Sequence, residues 1–125
     1  MPDVHAKLSA SGAKKWIACP GSVLLEASVQ DKPSAYAAEG TTAHALGEAK
    51  IRLATKEYTK AKYHKAIKDL EIDDEMEEYT DAYRDFVIEQ LNQAKQRTAD
   101  AILLLEQRLD FSKYVPEGFG TGDCV

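Results

Sequence analysis

The chain has 125 residues, 44% of them apolar and 30% charged, with a formal charge of -5. That is the length of one domain with the balance of an ordinary soluble protein. The negative total speaks against a nucleic-acid coat protein, which would be basic, although a local basic groove is compatible with it because net charge averages over the surface.

The two cysteines, Cys19 and Cys124, lie near opposite ends and form no C-x-x-C pair, which excludes a zinc ribbon. The start, Met1-Pro2-Asp3, is polar and no apolar signal segment follows. The longest strongly apolar run, Ala101 to Leu105, is far too short to span a bilayer. These features predict a cytoplasmic protein with reduced thiols and no membrane partner.

In chain order, a first helix is expected from about Ser9 to Ala18, capped by Ser9 and stopped before Pro20. A short helical piece follows from Ser22 to about Ser28, then a loop over Gln30-Asp31-Lys32-Pro33-Ser34. A second major helix should begin near Gly40-Thr41-Thr42, with a threonine cap, and reach about Lys56. The stretch from Lys56 to Leu70 reads as helical in parts. The clearest helix runs from about Asp74 to Thr98. Asp73 or Asp74 caps it, and Glu75, Glu77 and Glu78 fill a first turn where the helix dipole favours acids. Its apolar stripe, Met76, Tyr79, Tyr83, Phe86, Val87, Leu91 and Ala94, is expected to be buried.

From Ala101 to Phe111 the period changes to two. Leu103, Leu105, Leu109 and Phe111 would face one way and Glu106, Arg108 and Asp110 the other, the pattern of a half-buried strand. Pro116-Glu117-Gly118 offers a turn, and Phe119 to Val125 should form a second, antiparallel strand. The expected class is therefore α+β: one domain over 1–125, helical over 1–100, with a β-hairpin over 101–125. The chain stops inside what reads as a strand, so it is expected to be the N-terminal part of a longer protein. An unpaired strand edge and an apolar face without its cover would then favour a homodimer of this piece.

Four features carry chemistry, in this order: Ser9-Ala10-Ser11 through Cys19-Pro20; Glu39-Gly40-Thr41-Thr42-Ala43-His44; Glu106 on the first strand; and Gly120-Thr121-Gly122-Asp123 on the second. This ordered set resembles the RecB-like nucleases of the PD-(D/E)xK superfamily, and more closely a phage-encoded family of unknown function within that group. There, an S-x-S…CP helix precedes a G-x-x-x-H helix, a Glu-containing strand and a G-x-x-D strand.

The resemblance implies that the hairpin opens a nuclease core and that the intact protein is a metal-dependent DNA exonuclease or endonuclease of phage replication or recombination. It implies catalytic and metal-binding roles for His44 and Asp123, with Glu48 and Glu106 in support and Mg²⁺ or Mn²⁺ as cofactor. Such an ion polarises a phosphate and lowers the pKa of an attacking water, and it prefers carboxylate oxygens. The (D/E)xK element would lie beyond Val125, so the chain by itself is expected not to cleave DNA. Cys19 matches a position that helps to hold a [4Fe–4S] cluster in some relatives, but the other ligands would lie outside the chain. An Fe–S cluster is therefore unsupported, and a buried structural thiol is expected instead.

Read from the residues alone, His44 could equally be a helix histidine paired with Glu48 one turn on, Glu106 a surface partner of Arg108, and Asp123 a turn residue. Charge is segregated: Lys50, Arg52, Lys56, Lys60, Lys62, Lys65 and Lys68 are met by Glu57 alone, and 69–89 is almost wholly acidic. Lys50, Arg52 and Lys56 form a candidate ridge for a DNA backbone; two solvated faces that attract each other would explain the same pattern. A non-catalytic DNA-binding or protein-interaction helical module with a degenerate nuclease fold is the alternative function.

Overall fold

The computed structural model describes residues 5–30, 32 and 34–125. Asp31 and Pro33, within the expected loop over 30–34, and the polar start at Met1-Pro2-Asp3 lie outside the described residues. The architecture is α+β, with five helices and one two-stranded antiparallel hairpin among the described residues. The chain gathers into two compact units. One unit joins the described residues up to Lys32 to the hairpin residues 106–123; the other is the helical stretch 34–105.

In the first unit, α1 (Ala13–Ala18) and α2 (Gly21–Ala27) form a short corner. Ser9 does act as a local cap, but on a turn ahead of the helix. Its Oγ accepts from the Gly12 N–H at 3.1 Å, and its carbonyl accepts from the Trp16 indole N–H at 2.8 Å. Helix α1 therefore begins later than Ser9 suggests, because these bonds hold the chain in turns first. Lys15 and Glu26 pair across the corner. Cys19, expected to be buried, is exposed. It ends α1 at this corner, so its side chain is left outside the packed faces.

The hairpin pairs β1 (Leu105–Asp110) with β2 (Phe119–Cys124). Asp110 ends β1 by accepting the Ser112 N–H at 2.9 Å. Gly118 closes the loop: a Cβ there would sit 2.8 Å from both the Phe111 ring and the Val115 carbonyl oxygen. Across the strands, the Arg108 guanidinium lies 4.1 Å from the centre of the Phe119 ring. The expected strand alternation holds in part: Leu103, Leu105 and Phe111 are half-buried and Arg108 and Asp110 exposed. The strand starts only at Leu105, however, and Leu109, assigned to the covered face, is 43% exposed. Glu106, half-buried rather than exposed, has φ 50°, a left-handed conformation that distorts the strand locally.

The second unit packs α3 (Ala35–Ala54) against α5 (Asp74–Arg97) and α4 (Lys60–Ile67). Helix α3 starts five residues before Gly40. Its cap is Ser34, whose side chain accepts the Ala37 N–H at 3.1 Å. Thr41 and Thr42 are interior residues whose hydroxyls donate back to the Ala37 and Ala38 carbonyls. Asp73 caps α5 through the Met76 N–H at 2.7 Å, as its acidic first turn predicts. The core holds Leu46, Ala49, Ile51, Met76 and Val87. Gly47 lets the two long helices approach closely, since a Cβ there would lie 3.1 Å from the Tyr83 ring.

The buried stripe of α5 keeps Met76 and Val87 of the one expected but not its aromatics: Tyr79 and Phe86 are 67% and 60% exposed. Thr80 joins the buried face instead, and it can take an inner place because its hydroxyl donates to the Met76 carbonyl at 2.7 Å. Phe86→Ala should accordingly change the unfolding free energy by less than about 1 kcal/mol, measured by urea denaturation. A loss of several kcal/mol would put Phe86 in the core.

Candidate metal centre

Within the first unit, a cavity of about 340 Å³ is lined by His5, Ala6, Ser9, Ala10, Ser11, Glu106, Phe119, Gly120, Thr121 and Asp123. Two of the four sequence features thus meet a third here: the Ser9-Ala10-Ser11 segment forms one wall, and Glu106 and the glycine-rich strand ending in Asp123 form the other. Carboxylate oxygens of Glu106 and Asp123 lie within 4.8 Å of each other. Glu106 is half-buried and Asp123 is exposed.

The sequence placed these two acids on paired strands but could not show that a backbone distortion aims one of them. Among the described residues, Glu106 is one of three non-glycine residues with positive φ, with Lys56 and Glu117. Glutamate gains nothing intrinsic from the left-handed region, which costs about 1–3 kcal/mol. Such strain persists where the surroundings over-determine it, and here it falls on a carboxylate facing a second carboxylate. Two oxygens at up to 4.8 Å fit on either side of a divalent ion, whose oxygen distances run from about 2.0 to 2.6 Å. The donor set is hard and anionic, suited to Mg²⁺, Mn²⁺ or Ca²⁺ rather than to a thiophilic metal. The hydroxyls of Ser9 and Ser11 on one wall and of Thr121 on the other offer hydrogen bonds to an anionic ligand in the cavity.

His5 lines this cavity without having been singled out by sequence. It precedes the first helix, where no periodicity or spacing marks it. His44 is an exposed residue of α3 in the other unit. Glu48, its expected companion, accepts a hydrogen bond from Arg52 Nε at 2.9 Å.

The three cations expected to meet DNA have separate fates. Lys50 is only 3% exposed. Its ammonium donates to the Glu77 carbonyl at 3.0 Å and to Asp81 Oδ1 at 2.7 Å, with Glu77 Oε1 at 3.1 Å. Lys50 therefore belongs to the interior and has no ammonium to offer a phosphate, a correction to its assignment as a backbone contact. Arg52 is held by Glu48 and Glu57 and lies against the Tyr58 ring. Lys56 alone of the three is exposed, just past the C-cap of α3. Five exposed lysines, Lys56, Lys60, Lys62, Lys65 and Lys68, make up the surface part of the basic stretch.

No helix among the described residues is long and apolar enough to cross a membrane. No solved structure matches the chain. A family model described as "Protein of unknown function (DUF2800)" matches residues 5–125, essentially the whole described chain, and the chain belongs to that family.

Proposed function

We propose that this chain forms the N-terminal part of a metal-dependent DNA nuclease of the RecB-like PD-(D/E)xK type, with the hairpin as the opening of the nuclease core. The observation that carries the reading is the pair of facing carboxylates, Glu106 and Asp123, one of them held in a strained backbone, at the mouth of a cavity walled by the S-x-S segment. The order of the motifs supports the family assignment.

In this reading Asp123 and Glu106 bind a divalent cation, which supplies the Lewis acidity for phosphodiester hydrolysis. The serine wall receives a phosphate oxygen, and Lys56 contributes to holding the DNA backbone. His44 is nominated as a further ligand by the resemblance, and His44→Ala tests it separately. The alternative, a non-catalytic helical module for DNA or protein, gains weight from the interior placement of Lys50.

The reading predicts metal-dependent DNA binding. Ca²⁺ fills hard oxygen sites and serves as the probe. At a fixed salt of about 0.1 M, a short DNA duplex should bind more tightly with Ca²⁺ than with EDTA. Asp123→Asn should weaken the Ca²⁺-dependent binding by about tenfold or more. Equal binding in EDTA and in Ca²⁺ would favour the non-catalytic module.

A further inference from the structure

The N-terminal part of α3 is not covered by its own unit. Every residue from Ala35 to Glu39 is exposed, and the Tyr36 side chain is 87% exposed. Beside it, a groove of about 350 Å³ runs between α3 and the start of α5, with Tyr36, Ala43, Met76 and the 67%-exposed Tyr79 as its apolar walls. Gly40 lines the same groove, and a Cβ added there would meet nothing within 4 Å. A glycine at an interior helix position costs about 1 kcal/mol relative to alanine, and no contact within the chain calls for it. What a bare backbone there permits is the close approach of another chain.

The groove and the adjoining trough are also one-signed. Glu39, Asp69, Glu71, Asp73 and Glu75 line them, and no lysine or arginine does. The same chain carries the opposite surface. Helix α4 is exposed on its lysines, Lys60, Lys62 and Lys65, with the small residues Ala61 and Ala66 beside them. Among the described residues no ion pair joins Lys60, Lys65 or Lys68 to a carboxylate, and none engages Glu39, Asp69, Glu71 or Glu75. The two complementary faces are therefore both unspent.

We infer that this groove is a self-association surface, occupied by helix α4 of a second copy of the chain. The partner's lysines meet the carboxylates around the groove, their methylene stems lie on Tyr36 and Tyr79, and the partner backbone approaches at Gly40. If each copy gives its α4 and receives the other's, the contact is self-complementary and closes as a dimer. This surface does not involve the hairpin edge or the cavity at Glu106 and Asp123.

Light scattering across a concentration series tests it, with no metal or DNA present, so the outcome is independent of the proposed nuclease site. The wild type should move from monomer to dimer mass, and salt near 1 M should weaken the association because screening then acts within about 3 Å. Glu39→Lys with Glu75→Lys, and separately Lys60→Glu with Lys65→Glu, should each weaken the dimer by at least about tenfold. Mixing the two charge-reversed proteins should restore the dimer mass. Gly40→Trp, which fills the groove from an open position, should give a monomer with an undiminished melting temperature. A wild type that stays monomeric, a mixture that fails to reassociate, or a dimer indifferent to Gly40→Trp would each overturn the inference.

Discussion

Asp81→Ala is expected to destabilise the protein by about 2–4 kcal/mol, whereas Lys50→Met is expected to be neutral or stabilising. Lys50 is almost wholly buried, with its ammonium between Asp81 and Glu77. Removing one partner of a buried pair leaves a charge without compensation, typically at about 3–5 kcal/mol, while replacing the charge by an apolar side chain of similar shape removes the burial penalty altogether. The lower range applies here because the Asp81 side chain is itself 44% exposed, and because the Glu77 carbonyl and carboxylate remain as acceptors. Urea denaturation of the two variants separates the cases. Equal losses in both would mean that the pair contributes packing rather than charge compensation.

The same pair sets an acid limit. The hydrogen bond from Lys50, ahead of the attraction of Lys50 and Arg84, holds the Asp81 carboxyl below the ordinary 3.8 of an aspartate. A carboxyl depressed in the folded state stabilises the fold fully above its unfolded value. That contribution is lost as pH falls from about 4 through the lower folded value. Wild-type stability should therefore drop below pH 3.8, and Lys50→Met should flatten that part of the curve.

The second large effect is expected in the core. Leu46 and Ile51 are completely buried on the face of α3 that meets α5. Leu46→Ala removes transfer energy and leaves a cavity between two long helices that cannot close fully around it, for a loss of about 2–5 kcal/mol. The exposed Leu24, at 80%, is the matched control: Leu24→Ala should stay within about 0.5 kcal/mol. A Leu46→Ala loss no larger than that of Leu24→Ala would deny that α3 and α5 form the core of this unit.

The elements were legible where local chemistry marks them. Asp73 followed by an acidic turn announced α5, and the turn residues up to Gly118 announced the hairpin. The start of α3 was not legible, because Thr41 and Thr42 resemble caps in sequence while their hydroxyls bond back into the preceding turn. Periodicity found Met76 and Val87 of the α5 stripe but also counted the large aromatics at 79 and 86, which are exposed, while Thr80 takes an inner place. Lys50 was misplaced for a related reason: its partner Asp81 lies 31 residues away, and no local pattern reveals such a pair. At the candidate centre, Glu106 and Asp123 were visible as acids on successive strands. The left-handed backbone that aims Glu106, and the presence of His5 on the same wall, belong to the three-dimensional structure alone.

The most direct test of the central claim is a calorimetric titration of Mn²⁺ into the wild type, Asp123→Asn, Glu106→Gln and Glu106→Gly, each first checked for folding. The wild type should bind a single ion saturably, and all three variants should lose that binding. Glu106→Gly should meanwhile keep or raise the melting temperature, since glycine relieves the left-handed strain at φ 50°. Absence of Mn²⁺ binding by the wild type, or binding that survives Asp123→Asn and Glu106→Gln unchanged, would contradict the account.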